Sequence, residues 1–153
     1  MCIENIQLAL NREEVLDLIK ECQRVLRPGG VLRISIPDIK LLSEKYINGD
    51  KDFFLNLEDN MSDYSHFENI ADLFIQHIYG YNLWAKPSFL EIIQRQFIRG
   101  HLWMYDFNSL SFIFKESGFV DIRRCQPSEG DTPGIDRLDI HRLSSLFIEA
   151  TKC

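Results

Sequence analysis

The sequence predicts an α/β fold, and three features of the chain indicate it. An amphipathic helix over residues 11–26 leads directly into a strand rich in β-branched side chains at residues 31–36. Two further strand-like segments, at residues 119–125 and 146–151, lie near the carboxyl terminus. The long stretch between these ends has apolar residues at helical spacing. Helices that alternate with strands in this way are typical of an α/β domain.

The first helix and strand have clear boundaries. Asn11 is the expected N-cap, and Glu14 is its partner in a capping box. Pro28, Gly29 and Gly30 end the helix, and Pro37 ends the strand that follows. Because four of the six residues at 31–36 are apolar, we expect a strand covered on both faces, as in a parallel sheet. The predicted apolar stripe of the helix consists of Val15, Leu18, Ile19, Cys22, Val25 and Leu26.

The middle of the chain, residues 39–100, reads as a helical insertion or lid within a single domain of residues 1–153. Helices are predicted over residues 39–46, 65–79 and 88–98, and Asp106 is expected to cap a further helix that Gly118 ends. An insertion that leaves a strand at its carboxyl end is well placed to cover a binding pocket. The predicted inward residues of the 65–79 helix are Phe67, Ile70, Ala71, Phe74, Ile75 and Ile78.

Composition narrows the classes of function. The chain has 153 residues, 45% hydrophobic and 26% charged, with a formal net charge of −6. This balance argues against nucleic acid as a partner, so the arginine pairs 123–124 and 95/99 are interpreted as solvated faces. No apolar run approaches the length of a membrane span. The four cysteines are scattered and lack the spacing of metal ligands, which predicts free thiols, no metal site and a cytoplasmic location.

Four segments in order resemble a known family. They are R-V-L-R-P-G-G-V-L-R-I-S-I-P-D at 24–38, H-L-W-M-Y-D at 101–106, E-S-G-F at 116–119 and S-L-F-I-E-A at 145–150. Together they are similar to class I S-adenosylmethionine (SAM)-dependent methyltransferases, in particular a bacterial subgroup of predicted methyltransferases written H-x-W-M-Y-D, A-G-F and S-L-x-x-E-A. The resemblance implies a partial Rossmann-like fold with the helical insertion after its first strand. It also implies that residues 146–151 lie between the strands at 119–125 and 31–36.

The resemblance covers only the carboxyl half of that family's fold. No G-x-G occurs in the sequence, so the glycine loop that binds SAM in the family is missing, together with the first strands. Glu4 and Asn5 are the remaining cofactor-side candidates, since Ile3-Glu4-Asn5-Ile6 matches the family's L-E-H-[LI] with Asn5 in place of histidine. We expect a truncated SAM-dependent methyltransferase that does not bind SAM tightly alone. The alternatives are a non-catalytic interaction module and one subunit of a split methyltransferase.

The resemblance also implies that the loop 101–106 lies near the methyl acceptor. A small molecule or a saccharide is the kind of acceptor expected. His101 and Tyr105 are the catalytic candidates, because either side chain could take or orient the acceptor proton. Structural alternatives remain open, since Asp38 and Asp106 are well placed to cap helices and His101 to bond backbone. The predicted acceptor-binding residues are Pro37, Asp38, His101, Trp103, Tyr105 and Asp106.

One edge of the strand at residues 31–36 has no predicted neighbour. An open apolar strand edge favours pairing with another chain. We therefore expect this edge to be covered by a second copy in a homo-oligomer, by a chain that supplies the missing half, or by residues 1–10 of the same chain.

Overall fold

The computed structural model describes residues 2–4, 10–57, 67–79, 103–139 and 141–153, apart from the side chains of residues 2–4 and 136. These residues form a mixed α/β structure. The elements in chain order are β1 (Cys2–Glu4), α1 (Arg12–Val25), β2 (Val31–Pro37), α2 (Ile39–Ile47), α3 (Lys51–Leu55), α4 (Ile70–Tyr79), α5 (Phe107–Glu116), β3 (Phe119–Cys125), a short 3₁₀ turn (Ile135–Arg137) and β4 (Ser145–Lys152). In the described ranges, no helix is both long and apolar enough to cross a bilayer.

The four strands form one sheet in the order β1-β2-β4-β3. β4 is antiparallel to both of its neighbours, so Ile148 pairs with Ile34 on one side and with Arg124 on the other. β2 and β3 therefore run in the same direction, with β4 reversed between them. The prediction that residues 146–151 lie between the other two strands is confirmed.

β1 pairs in parallel with the other edge of β2, and Ile3 lies opposite Ile34. Of the three ways in which this edge was expected to be covered, the structure contains the third, the amino-terminal segment of the same chain. The pairing extends over three residues.

α1 packs on one face of the sheet. Its capping box is present as predicted, since Asn11 accepts from the backbone of Glu14 and the Glu14 side chain accepts from the backbone of Asn11. Val15 and Ile19 are fully buried, but Val25 is 55% exposed, so the predicted stripe is wrong at this position. At 3.6 residues per turn, Val25 lies about 80° around the helix from Val15, and it misses the core.

β2 alternates between two different environments. Leu32, Ile34 and Ile36 belong to the main apolar core with α1 and α5, which contributes Leu110, Ile113 and Phe114 as predicted. Arg33 and Ser35 are also buried, on the opposite face. The strand is buried on both faces as expected. The residues that pack on one face are apolar, whereas those on the other face, here called the polar cover, include charged and polar groups.

Arg33 is the centre of the polar cover. Its side chain is fully buried, and its Nε and Nη2 donate to the two carboxylate oxygens of Asp139 at 3.0 and 2.7 Å. Nη1 donates to Glu149 at 3.2 Å and to the carbonyl of Glu129 at 3.1 Å. This bidentate pairing fixes the loop of residues 126–139, here called the strap, over the polar face.

Glu149 fixes the middle of the same strap. Its carboxylate accepts from Arg123 at 2.8 Å, from the backbone of Asp131 at 2.9 Å and from the hydroxyl of Thr132 at 2.8 Å. Gly130 has a φ of 152°, and a Cβ atom there would collide with the Glu149 carboxylate. The strap can therefore approach Glu149 only because residue 130 is glycine.

A second apolar cluster lies among α2, α3 and α4 and includes Leu42, Phe54 and Leu73. α4 begins at Ile70, later than the predicted start at Ser65, which lies outside the described residues. The predicted inward face of α4 is wrong at Ile75, which is 43% exposed. Leu73 is buried instead because α4 packs against α2 and α3 from that side. The predicted helix at 88–98 lies outside the described residues.

Replacing Arg33 by leucine is expected to lower the free energy of unfolding by about 3–5 kcal/mol, because Asp139 would be buried without its cation and Glu149 would keep only Arg123. Urea unfolding followed by circular dichroism measures this change. Arg24→Leu is the control, since the Arg24–Glu21 pair lies on the surface, and it should leave the unfolding midpoint in place. Equal midpoints for the two variants would contradict the role given to Arg33.

Glu149 makes stability depend on pH. Burial alone would raise the pKa of this carboxyl group, but the Arg123, Asp131 and Thr132 hydrogen bonds and the Arg33 charge lower it from 4.5 to about 2. Since the folded-state pKa is the lower one, the stabilisation is present above about pH 4.5 and is lost as the pH falls toward 2. It amounts to up to about 3 kcal/mol.

Glu149→Gln should therefore be less stable than the parent at pH 7, and the difference should shrink steadily between pH 4.5 and pH 2. Urea unfolding at several pH values in this range measures the difference. Two parallel stability curves would show that the charge on Glu149 does not matter.

Candidate functional site

The carboxyl end of β2 brings together the predicted site residues that the structure describes. Asp38 forms a parallel bridge with Tyr105, and the Ile39 N–H donates to the Tyr105 carbonyl at 3.2 Å. The Asp38 N–H donates to the carbonyl of Ser144 at 2.9 Å. Pro37 is the last residue of β2 and pairs with Ser145. Tyr105 therefore lies beside the β2 exit.

The carboxylate of Asp38 stabilises the fold through hydrogen bonds to α2 and to Arg124. One oxygen accepts from the backbone N–H groups of Lys40 and Leu41 at 3.0 and 3.3 Å, so Asp38 is the N-cap of α2. The other oxygen accepts from Nη2 of Arg124 at 2.6 Å. Asp38 is 1% exposed. The capping role that was open from the sequence is confirmed, and the buried carboxylate faces no solvent.

Arg124 was not among the predicted site residues. It was interpreted with Arg123 as part of a solvated face. The side chains of Arg124 and Arg123 are 48% and 47% exposed, so both reach solvent, and each also forms an ion pair. Arg124 pairs with Asp38, whereas Arg123 pairs with Asp131 and Glu149 on the polar face. A sequence signal exists, because neighbouring residues of a strand point to opposite faces, but it does not say which acid each arginine meets. Arg95 and Arg99 lie outside the described residues.

Tyr105 is deeply buried. It is 1% exposed and packs in the main core, and its hydroxyl has no hydrogen-bond partner within the described structure. Burial raises the pKa of this phenol to about 12, against a smaller opposite effect from Arg12. The hydroxyl therefore stays protonated at neutral pH. In this conformation the phenol is closed off from solvent and cannot serve as a base.

The remaining candidates differ in what they offer. Asp106 caps α5 through a capping box with Ser109, whose hydrogen bonds lower the pKa of the Asp106 carboxyl. Its predicted capping role is confirmed. Trp103 is 47% exposed and presents the indole to solvent. Glu4 pairs through its backbone with Ser35, and its side chain lies outside what the structure describes, as do His101 and Asn5.

Taken together, the described candidates are suited to binding a ligand and not to transferring a proton. Both carboxylates are engaged as helix caps, and the phenol is buried and neutral. Trp103 is the candidate among them with a large exposed surface, and an indole ring packs well on the flat apolar face of a ligand. A base for proton transfer therefore has to be sought outside these residues, and His101 remains the predicted one.

Two other kinds of chemistry find no support in the described residues. No group of three or more histidine, cysteine or acidic side chains in these ranges is arranged to hold a metal ion. Cys22 and Cys125 are buried free thiols, and burial raises the pKa of each of them. A raised pKa keeps a thiol protonated, and a protonated thiol is a poor nucleophile.

Tyr105→Phe tests whether the phenol is only a core residue. At pH 7 the variant should be at least as stable as the parent, because it loses a buried hydroxyl that has no partner. Between pH 10 and 12 the parent should lose stability relative to the variant, since a folded-state pKa raised to about 12 opposes ionisation in the core. Thermal unfolding against pH measures this. Tyr79→Phe, at a 52% exposed ring, is the matched control, and a destabilised Tyr105→Phe at pH 7 would reveal a partner for the hydroxyl.

The comparisons with known proteins leave the family open. No protein-family model matches this chain, and no curated protein matches its sequence. Its function has to be inferred from its own residues and topology.

Proposed function

We propose that this chain forms the carboxyl half of a class I SAM-dependent methyltransferase, with a Rossmann-like sheet completed by a glycine loop from elsewhere. The observation that carries the proposal is the strand order β1-β2-β4-β3 with β4 alone reversed. The resemblance implies one part of that arrangement, in which β4 lies between β3 and β2. Tyr105 also lies beside the carboxyl edge of β2, where ligands bind in open α/β sheets.

The role proposed for these residues is to hold the methyl acceptor. Methyl transfer needs the acceptor atom in line with the sulfonium of SAM, and positioning supplies much of the catalysis. Trp103 offers an exposed aromatic surface for a small-molecule or saccharide-type acceptor. The bridge between Asp38 and Tyr105 holds the Trp103 loop beside the strand end. Proton removal is assigned to His101, because Tyr105 is buried in the main core. SAM would be the methyl donor, and the cytoplasm the site of action.

A non-catalytic module or one subunit of a split enzyme is the second candidate. One observation favours it. The outer edge of β1 pairs with no other strand in the described residues, whereas β3 at the opposite edge carries a bulge with Asp121 at a φ of 48°. Bulges and charged residues discourage strand addition. The sheet can therefore be extended at β1, by a second copy or by a chain that carries the missing half.

Isothermal calorimetry of the 153-residue chain with SAM or S-adenosylhomocysteine tests the proposed division of the fold. We expect no binding tighter than millimolar, because no G-x-G loop is present to let the backbone approach the ligand. Micromolar affinity for the chain alone would contradict the proposal that the cofactor loop lies elsewhere.

The reading frame upstream of Met1 separates the two candidates. An in-frame D/E-x-G-x-G-x-G segment would support the methyltransferase, and the extended protein should then bind S-adenosylhomocysteine. An upstream sequence without that loop would favour the interaction module or the split enzyme, whose partner would be sought at the β1 edge.

A further inference from the structure

A groove of about 310 Å³ runs along α5 beside β3. Its volume is at the lower end of the range of small-molecule pockets. The helix residues that line it recur every three or four positions and so form one side of α5. The lining consists of Phe107, Asn108, Ser111, Phe112, Lys115 and Ile122.

The walls of the groove are apolar. Phe107 and Ile122 are half-buried, and Phe112 is 52% exposed. A ring or a branched chain placed between Phe112 and Ile122 would remove this surface from water, which is the main driving force for binding an apolar group.

Two polar groups lie on the same side of the helix. The Lys115 ammonium has no ion pair within the described structure, although the chain as a whole has a net charge of −6. Ser111 is 8% exposed, and its hydroxyl has no hydrogen-bond partner among the described residues. Ser111 lines the groove, so its hydroxyl is a donor without a partner in the described ranges, close to the space that a ligand would fill.

From these contacts we propose that the groove binds a small aromatic or branched aliphatic carboxylate. The apolar part lies between Phe112 and Ile122, and the carboxylate meets Lys115 and the Ser111 hydroxyl. An unpaired cation at the end of an apolar groove selects an anion over a neutral molecule of the same shape. This site does not depend on the proposed methyl transfer, because it is formed by α5 and β3 rather than by the β2 exit.

The probe is 3-phenylpropionate, with its neutral amide as the matched ligand, titrated into the full ¹⁵N-labelled chain and followed by NMR. We expect saturable shifts at residues 107–115 and 122, with a dissociation constant of roughly a millimolar, as suits so small a ligand. The amide should bind about three- to fivefold more weakly, the ratio expected for one exposed charge pair.

Lys115→Gln is expected to remove the preference for the acid while the amide binds as before. Lys20→Gln, at an exposed lysine of α1, is the control and should leave both affinities unchanged. Shifts that do not saturate, shifts centred away from residues 107–122, or a preference for the acid that survives in Lys115→Gln would each overturn the proposal.

Discussion

The buried guanidinium of Arg33 is the interaction on which the arrangement of this molecule depends. It lies in the middle of β2 with no exposed surface, between Asp139 from the strap and Glu149 from β4. A charge at this depth is tolerated only when its hydrogen-bonding groups are paired. Arg33 meets that condition with two carboxylates and the carbonyls of Gln126 and Glu129.

The consequence is a sheet with two chemically different faces. One face is a close-packed apolar core against α1 and α5, whose stability comes from burial and has little directional requirement. The other face depends on directed, charge-assisted bonds, and these fix the strap in a single register. Arg123 joins the two parts of the polar face, since it bonds Glu149 of β4 and Asp131 of the strap together.

The same logic governs the β2 exit. Asp38 satisfies two N–H groups of α2 and the guanidinium of Arg124, so one buried carboxylate joins β2, α2 and β3. Groups that hold the fold in this way are not available for acid–base chemistry. Among the described candidates, Trp103 has the exposed surface that a ligand could contact. A binding role for this edge is therefore better supported by the geometry than a proton-transfer role for either carboxylate.

Local features were predictable because they depend on residues close together in the chain. The Asn11 and Asp106 caps require partners three positions away, and the bounds of β3 follow from Gly118 and the apolar pattern after it. The order β2-β4-β3 also agreed with expectation, although that expectation came from the resemblance and not from periodicity. Asp38 as a cap was among the alternatives that the sequence left open.

By itself the sequence determined α1, α2, α5, β2, β3 and β4 and the caps of α1 and α5, since backbone hydrogen bonding and side-chain period act over a few residues. It did not predict β1 or α3. Only the tertiary structure decided that Arg33 is buried against an acid 116 positions away and that Arg124 joins an acid 86 positions away. It also decided that α4 turns Leu73 inward and Ile75 outward. These outcomes depend on which surfaces meet after the chain folds, and charge or apolarity in the sequence does not specify the partner.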